Sequence, residues 1–539
     1  MGITGKQVFL REATGLVREF SLLDSTYMGL SVLNVLVGVP AVYMSIAFLF
    51  PQADFALAFF VGFLASIAVA AVFGMMGAAM PRAGGDYVWA SRVLWPILGF
   101  ANNFAFFCLA IATAISYVAF EFSNFFLSMS FQSIGAATEN AQLVSLGRLL
   151  GTPTASFLLG SATLIVMFAV SVIGLGVVKR IQAVLATLMI IGTFAVIYLF
   201  ASTTNAEFIA AFNSLQPVLG STYEQVISAA QQKGWTPVAP TLLGAALPLV
   251  FTLNMYAGFQ VQSMVAGEIK HATRNLPLSV YLALTLGLVM WGGLSLVVLQ
   301  PLGRDFFEAV SYLYFTNPTV YSSTLSVPPV LNLFINVMSA NNPALYLIIF
   351  IGFLASFLVF PLAYFQVLAR MTFAWSFDRI MPSWLGKVSE RFHAPINSLI
   401  ITLVLSEIFL AVYAYGSWAL AYINWTLLLG ILVIPWGIAA LVFPYRRKEI
   451  YQQAPQFCRS EFLKVPIVSM AGLIVILIGI VSVYFDLTTP AYSGPVAPSY
   501  IVLTLVPYAI AAAIYLGSKY YHRSKGLDLG LAFKEIPPE

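Results

Sequence analysis

The chain has 539 residues, of which 60% are hydrophobic and only 9% are charged. A soluble globular chain carries roughly 25% charged residues, so this composition excludes a water-soluble fold and indicates a surface that mostly faces lipid. Inside a bilayer every backbone amide must be satisfied within the protein, which leaves helices or a closed barrel. Because the apolar stretches are long and lack the alternating polarity of barrel strands, we predict an all-α integral membrane protein.

Twelve apolar stretches are long enough to cross a bilayer, which takes about 20 helical residues. In chain order they cover residues 25–50, 55–79, 96–127, 155–176, 181–201, 241–263, 278–300, 343–370, 396–416, 418–444, 466–486 and 499–518. With a cytoplasmic N-terminus, only Arg148, Lys233 and Arg304 of the 25 Lys and Arg residues fall outside the predicted cytoplasmic segments. Cytoplasmic loops carry an excess of basic residues. We therefore predict twelve transmembrane helices, cytoplasmic N- and C-termini and a location in the cell (plasma) membrane.

The predicted helices form one membrane domain. Its parts are a cytoplasmic N-terminal segment at 1–24, a ten-helix core at 25–444, two additional transmembrane helices at 466–518 and a cytoplasmic tail at 519–539. Within the core, residues 25–201 and 241–444 each hold five predicted helices. Because five is an odd number, a repeat of this kind must be inverted in the membrane, which is an architecture typical of transporters.

Polar and flexible residues cluster in the middle of the first and the sixth stretch. The first contains Gly29, Asn34, Gly38 and Pro40, and the sixth contains Pro248 followed by the polar segment 252–260. Broken helices leave N–H and C=O groups that bind a carboxylate or a cation at the bilayer midplane. The alternative is that these Gly and Pro residues only permit close helix packing. The predicted substrate-binding residues are Asn34, Gly38, Thr252, Asn254, Tyr256, Ala257, Gly258, Phe259 and Gln260.

Two carboxylates lie away from the ends of predicted spans, Glu121 in the third and Glu407 in the ninth. Intramembrane carboxylates are costly and are functional hypotheses by default. We predict that a coupling ion binds at Glu121, as a proton, or beside Ser356 and the backbone carbonyls of residues 34–38, as sodium. Glu407 and Asp24 are further groups that could carry a proton. The alternatives are that Glu121 reaches an aqueous vestibule and that Ser356 bonds its own helix backbone. For Glu407 we favour protonation or a bond to a neighbouring helix.

The sequence shows no nucleophile–base pairing and no phosphate-binding loop. Its two cysteines and three histidines are scattered and do not form a metal-binding pattern. We therefore expect no enzymatic activity, no catalytic residue, no metal, no cofactor and no nucleic-acid partner. The sequence does not predict an oligomeric state.

Four motifs stand in order along the chain. They cover residues 80–87 (MPRAGGDY), 256–260 (YAGFQ), 267–277 (GEIKHATRNLP) and 370–382 (RMTFAWSFDRIMP). Together they resemble motifs of the amino acid–polyamine–organocation permeases. A double glycine permits a sharp re-entrant turn, so Gly84, Gly85 and Tyr87 are predicted to form part of a gate at the inner mouth.

The chain departs from that family's pattern at several positions. Where the family usually has a glycine-serine-glycine break, residues 34–40 read NVLVGVP, so we expect the break to be shifted towards Gly38 and Pro40, with the Asn34 amide contributing. Gln260 replaces an acid, Asn254 stands where a gating aromatic residue is common, and Ala272 replaces a proline. These differences indicate a divergent member.

The resemblance implies a LeuT-like five-plus-five inverted repeat with two additional C-terminal helices, in which spans one and six line the site. It also implies a secondary transporter that moves amino acids by alternating access, driven by a proton or sodium gradient or by exchange. The α-carboxylate would bind N–H groups of broken span one, and the α-ammonium would bind carbonyls near residues 252–256.

Other functions stay open at this point. A polyamine or organic-cation carrier of the same fold is one alternative, and it would require Glu121 or Glu407 to face spans one and six. A sensor or channel is another, for which the sequence offers no large output domain.

Overall fold

The computed structural model describes residues 16–325, 329–416, 425–488 and 498–536. Residues 1–15 of the predicted N-terminal segment therefore lie outside the described ranges. The described part is almost entirely helical, and its strands are the two-residue pair β1 (Glu461–Phe462) and β2 (Val465–Pro466). The predicted all-α membrane architecture is confirmed.

Thirteen α-helices precede the sixth predicted span. They are α1 (Leu22–Leu33), α2 (Val35–Leu49), α3 (Phe55–Ala79), α4 (Asp86–Val93), α5 (Pro96–Leu109), α6 (Ser116–Glu121), α7 (Ser128–Ala137), α8 (Ala141–Leu150), α9 (Pro153–Ile173), α10 (Leu175–Ser202), α11 (Asn205–Ser214), α12 (Gln216–Leu219) and α13 (Tyr223–Gln232). Two π-helical turns, Ala110–Ile115 and Phe122–Leu127, join α5, α6 and α7 into one long third span.

The described α-helices continue from the sixth predicted span to the end. They are α14 (Leu242–Ala246), α15 (Leu249–Tyr256), α16 (Ala272–Gly287), α17 (Gly293–Val297), α18 (Leu299–Leu302), α19 (Arg304–Thr316), α20 (Pro318–Thr324), α21 (Leu331–Ser339), α22 (Pro343–Phe377), α23 (Ile396–Tyr415), α24 (Trp425–Arg446), α25 (Lys448–Gln453), α26 (Ile467–Thr488) and α27 (Pro498–Ser524). A π-helical turn, Leu288–Gly292, connects α16 to α17. Short 3-10 turns occupy Val261–Met264, Ala266–Glu268, Ser383–Gly386, Gln456–Arg459 and Leu529–Phe533.

Eleven helices in the described ranges are long and apolar enough to cross a membrane. They correspond to every predicted span except the sixth, residues 241–263. That span is absent from the eleven because it is interrupted at Pro248 and ends as an α-helix at Tyr256. The count of twelve therefore stays a prediction, and so does the inverted repeat.

Small residues allow the long helices to approach closely. Gly192 of α10 faces Gly352 of α22, and a Cβ on either glycine would lie 2.5 Å from the other's Cα. In lipid, where hydrophobic burial gives little drive for helix association, such close backbone contact provides the van der Waals energy. This crossing fixes the fifth span against the long α22 beside the first break.

The two long loops of the sequence fold into short helices that pack on one another. Tyr223 of α13 stacks on Phe306 of α19 with ring centroids 4.4 Å apart. Phe208, Phe212 and Phe334 complete this aromatic cluster. Arg304 donates to the carbonyl of Pro51 at 2.5 Å and so ties the cluster to the end of the first span. These loops form an ordered cap over one end of the bundle.

Candidate functional site

The first span is broken at Asn34. This residue has φ 5° and ψ 97°, and it ends α1 and caps α2 by accepting from the amide of Val37 at 3.4 Å. Its amide nitrogen donates to the carbonyl of Ser356 at 3.0 Å, and its amide oxygen accepts from the Ser356 hydroxyl. The break therefore lies at Asn34 and not at Gly38 and Pro40, where we expected it. The reason is that the Asn34 side chain replaces the missing helical bonds.

The sixth span is broken twice. Pro248 separates α14 from α15, and after Tyr256 the backbone becomes extended at Ala257 (ψ 136°). Gly258 follows with φ 126°, a conformation that residues with a Cβ rarely adopt. The Gln260 side chain accepts from the amide of Gly258 at 2.9 Å. We call Asn34 the first break and residues 257–260 the second break.

The two breaks lie against each other. A Cβ added at Gly258 would be 2.4 Å from the backbone nitrogen of Leu33, which is the last residue of α1. Only glycine therefore permits the second break to pack on the end of α1. The geometry brings the free ends of two broken helices to one place in the bundle.

A cavity of about 490 Å³ opens beside both breaks. Of the predicted site residues, those that line it are Asn34, Gly38, Asn254, Ala257 and Glu121. A cavity of this size, lined mainly by apolar groups with a few polar ones, is typical of sites for small organic ligands. Ser356 is not among the described lining residues, but it bonds Asn34, which is one of them.

Several predicted site residues lie elsewhere. The Thr252 hydroxyl bonds the carbonyl of Leu249 at 3.1 Å and packs against Gly62 of α3. The Tyr256 ring packs edge-on against Phe59 and Phe63 of α3, with centroids 6.2 Å away in each case. Gly258, Phe259 and Gln260 are buried in the second break and do not appear among the described lining residues. They shape the break without facing the cavity.

Glu121 brings the only carboxyl group to the described lining of the cavity, which contains no Lys, Arg or His. It is 1% exposed, and its Oε2 has no hydrogen-bond partner among the described residues. The Tyr117 hydroxyl interacts with this carboxyl group from one helical turn away, and Tyr413 of α23 lies against Tyr117 with ring centroids 5.2 Å apart. Glu121 also sits between two π-helical turns, a feature common at functional sites.

Glu407, the other carboxylate that the sequence singled out, does not line the cavity. Its Oε2 accepts from the Ser161 hydroxyl of α9 at 2.5 Å. A bond to a neighbouring helix is what we favoured for this residue.

Aromatic residues that the sequence did not single out complete the cavity wall. They are Phe106, Tyr117, Phe251, Trp291, Phe360, Tyr364 and Tyr413. Trp291 fits against Gly38, whose added Cβ would lie 2.9 Å from the indole ring. Of these residues, only Tyr117 could have been predicted from the sequence, because it precedes Glu121 by one helical turn and so lies on the same helix face. The others reach the cavity through tertiary packing.

The predicted gate residues meet in one loop, residues 80–93, which we call the glycine loop. Gly84 and Gly85 have φ 98° and 52°, and the amide of Gly84 donates to the carbonyl of Met264 at 2.8 Å. The Tyr87 hydroxyl donates to Asp378, at the end of α22, at 2.7 Å. The loop thus joins the unwound end of the sixth span to the eighth.

Buried ion pairs close the same face of the bundle. Arg92 of the glycine loop pairs with Asp378 at 2.7 Å, and Arg370 of α22 pairs with Glu268 at 3.0 Å, all four side chains being at most 1% exposed. Within the loop, Asp86 accepts from Asn103 and Trp436. Burial raises the pKa of Asp86 to about 7 despite these donors. We call this face, with both pairs, the loop face.

A larger groove, of about 790 Å³, lies on the outside of the bundle. Its lining includes Phe60, Leu242 and Leu296, which are all strongly exposed. In a membrane such a surface contacts lipid, so we do not assign the site to it.

The chain was compared with known proteins. A search of curated proteins finds no match. The family model described as amino acid permease matches residues 20–507, which include both breaks, the cavity and the glycine loop. That family comprises membrane transporters of amino acids, and the eleven apolar helices agree with a multi-pass membrane protein. Because the match covers nearly the whole chain, the protein belongs to the amino acid permease family.

Proposed function

We propose that this permease is a secondary active transporter that moves amino acids across the cell membrane by alternating access. The observation that carries the proposal is the cavity beside two helix breaks that pack on each other. Substrate sites of secondary transporters form at such discontinuous helices. Both termini would be cytoplasmic, which makes the loop face the inner one.

The breaks suit the two charged groups of an amino acid. The α-carboxylate would bind the first N–H groups of α2, where the helix dipole favours an anion. The α-ammonium would bind the last carbonyls of α15, near Asn254 and Ala257, both of which line the cavity. The substrate side chain would then lie among the aromatic residues of the wall.

Alternating access requires the loop face to open and close. In this structure that face is closed by the Arg92–Asp378 and Arg370–Glu268 pairs. Their release would allow the glycine loop to move away from α22 and open a path to the cavity. Gly84, Gly85 and Tyr87 act in this gate.

Coupling is proposed to occur through a proton on Glu121. This carboxyl group lines the cavity, so a bound proton and a bound substrate would be in the same compartment. Sodium beside Ser356 is the alternative, with the Asn34 oxygen as a second ligand. Exchange of one substrate for another would need neither ion.

Uptake by purified protein in liposomes tests this proposal. Labelled amino acids and amines are offered with an inward proton gradient, with a sodium gradient and with neither. We expect saturable amino acid uptake that the proton gradient accelerates. Acceleration by sodium alone would move the coupling ion to Ser356, and no uptake of any compound beside a working control transporter would contradict the proposal.

A second candidate function is a carrier of polyamines or other organic cations. It is favoured by one observation, the Glu121 carboxyl group in a cavity whose described lining carries no basic residue. A substrate with a second positive charge would offset the cost of burying this carboxylate.

Glu121→Gln distinguishes the two candidates. If the substrate is a neutral amino acid, the variant keeps binding and loses only its response to the proton gradient. If the substrate is a cation, affinity falls about tenfold or more because the charge partner is gone. Glu407→Gln is the matched control, since that carboxylate is also intramembrane but faces Ser161, and it should change neither property.

A further inference from the structure

A short segment beyond the last apolar helix folds back onto the glycine loop. Residues 529–533 form a 3-10 turn that Asp528 caps by accepting from the amide of Gly530 at 2.8 Å. Leu529, Ala532 and Phe533 are 2%, 0% and 3% exposed. The family model ends at residue 507, so this segment is not part of what the family match explains.

The segment contacts the residue that ties the glycine loop to α22. The Arg92 guanidinium lies over the Phe533 ring, 5.1 Å from its centroid, and donates to the carbonyl of Ala532 at 3.5 Å. The same guanidinium pairs with Asp378. Phe533 therefore covers a buried ion pair that the Tyr87 ring, with its centroid 5.6 Å from the guanidinium, also contacts.

A second arginine fastens the segment to the loop. Arg447, just after α24, donates to the carbonyl of Arg92 at 2.5 Å and to the carbonyl of Phe533 at 3.5 Å. The end of α27 is fixed as well, because Ser518 and His522 both bond the carbonyl of Arg379, at 2.9 and 3.0 Å. The turn that follows α22 thus holds the helix that leads into the segment, and Arg92 and Arg447 hold the segment's far end.

These contacts have an energetic consequence for the gate. The attraction within an ion pair is stronger where water is excluded. The cost of burying the two charges is offset only when their remaining polar atoms find hydrogen-bond partners. Phe533 excludes water from Arg92 and adds a cation–π contact, and the Ala532 carbonyl accepts one of its N–H groups. Without the segment, the Arg92–Asp378 pair would be open to solvent and weaker.

We propose that residues 528–533 are a latch that holds the glycine loop against α22 and must undock before the loop face opens. The latch acts through Arg92, so Phe533 is a positioning residue for the gate and does not contact substrate. Its removal would raise the fraction of molecules whose loop face is open.

Thiol labelling measures this opening without any substrate. Val88 is 1% exposed and lies with Tyr87 and Asp378 around a small cavity, so a cysteine there is protected by its burial while the loop is docked. The background lacks the two native cysteines, Cys108 and Cys458, each replaced by alanine. Labelling of Val88→Cys by a hydrophilic maleimide is then followed over time in purified protein.

In Phe533→Ala we expect the labelling rate to rise about fivefold, which corresponds to the loss of one cation–π contact. Leu531→Ala is the matched control, because Leu531 lies in the same turn but is 39% exposed, and it should label at the reference rate. If Phe533→Ala does not remain monodisperse, Phe533→Leu replaces it, since leucine retains apolar cover and removes only the ring, and a smaller rise is expected.

The latch would be overturned if Val88→Cys were labelled at the same rate with Phe533 present and with Phe533 replaced. It would also be overturned if Leu531→Ala raised the labelling rate as much as Phe533→Ala does. Neither result would bear on amino acid transport, because the measurement needs no substrate. Conversely, failure of uptake in liposomes would leave the labelling result standing.

Discussion

The two breaks lie against each other beside one cavity, yet the first is held by a side chain and the second by backbone freedom. At the first break, Asn34 replaces the lost helical bonds with contacts to Val37 and to Ser356, which is 322 residues away. At the second, Gly258 turns the chain at φ 126° and the nearby Gln260 satisfies its amide. One break depends on the tertiary structure, and the other is largely local.

This difference decides what a substitution can do. A glycine at positive φ cannot be replaced without strain, whatever surrounds it. An asparagine that bridges two helices can be replaced, but its partners lose their bonds. We therefore expect the second break to be the less tolerant of the two.

Gly258→Ala should be the most damaging substitution. The new Cβ would lie 2.4 Å from the nitrogen of Leu33, and the backbone would be held at a positive φ. We expect a loss of more than about 4 kcal/mol, seen as misfolding or a strongly lowered melting temperature in detergent. Uptake in liposomes should be lost with it.

The control is Gly517→Ala in α27, where an added Cβ meets nothing within 4 Å. Alanine is favoured over glycine in a helix by about 1 kcal/mol, so this variant should be as stable as the parent or slightly more stable. Normal stability in Gly258→Ala would show that the second break is not tightly packed against α1.

Sequence reasoning found the second break and misplaced the first for this same reason. Gly258 and Pro248 are local breakers whose effect on a helix is readable in any context. The first break depends on a contact between Asn34 and Ser356, and no local rule selects Asn34 over Gly38 and Pro40. The membrane class could be predicted directly from composition, because a surface that faces lipid must carry few charged residues.

The sequence also did not predict which side chains of the sixth span face the cavity. Thr252 and Tyr256 were predicted to bind substrate because they are polar and lie near the break, but they face α3. Which side of a short helix faces the cavity depends on the neighbouring helices, and α15 spans little more than two turns. Glu121 could be selected from the sequence alone, because a carboxylate inside the membrane is energetically costly and therefore indicates a functional role.

Asn34→Ala tests whether the first break depends on tertiary contacts. It removes the cap on Val37 and both contacts with Ser356, so we expect a loss of about 2 to 3 kcal/mol and weaker substrate binding. Ser356→Ala removes only the hydroxyl contact, because the Ser356 carbonyl still accepts from Asn34, and should cost about 1 kcal/mol. Melting temperatures of both variants and of the double variant measure the effects.

The double variant should be no less stable than Asn34→Ala, because the hydroxyl contact is already lost in the single variant. Strictly additive losses would mean that the two side chains act independently, and the first break would then not depend on α22.

Gln260→Met should have the smallest effect, and it isolates the one side-chain contribution to the second break. Methionine keeps the volume but leaves the amide of Gly258 without its acceptor, so we expect a loss of about 1 kcal/mol in the melting profile. Gln262→Met is the matched control, because Gln262 is also buried but its amide group has no partner among the described residues. Removing an unsatisfied buried amide should be neutral or stabilising. If Gln260→Met proved as harmful as Asn34→Ala, the second break would depend on its side chain as much as the first, and the contrast between them would fail.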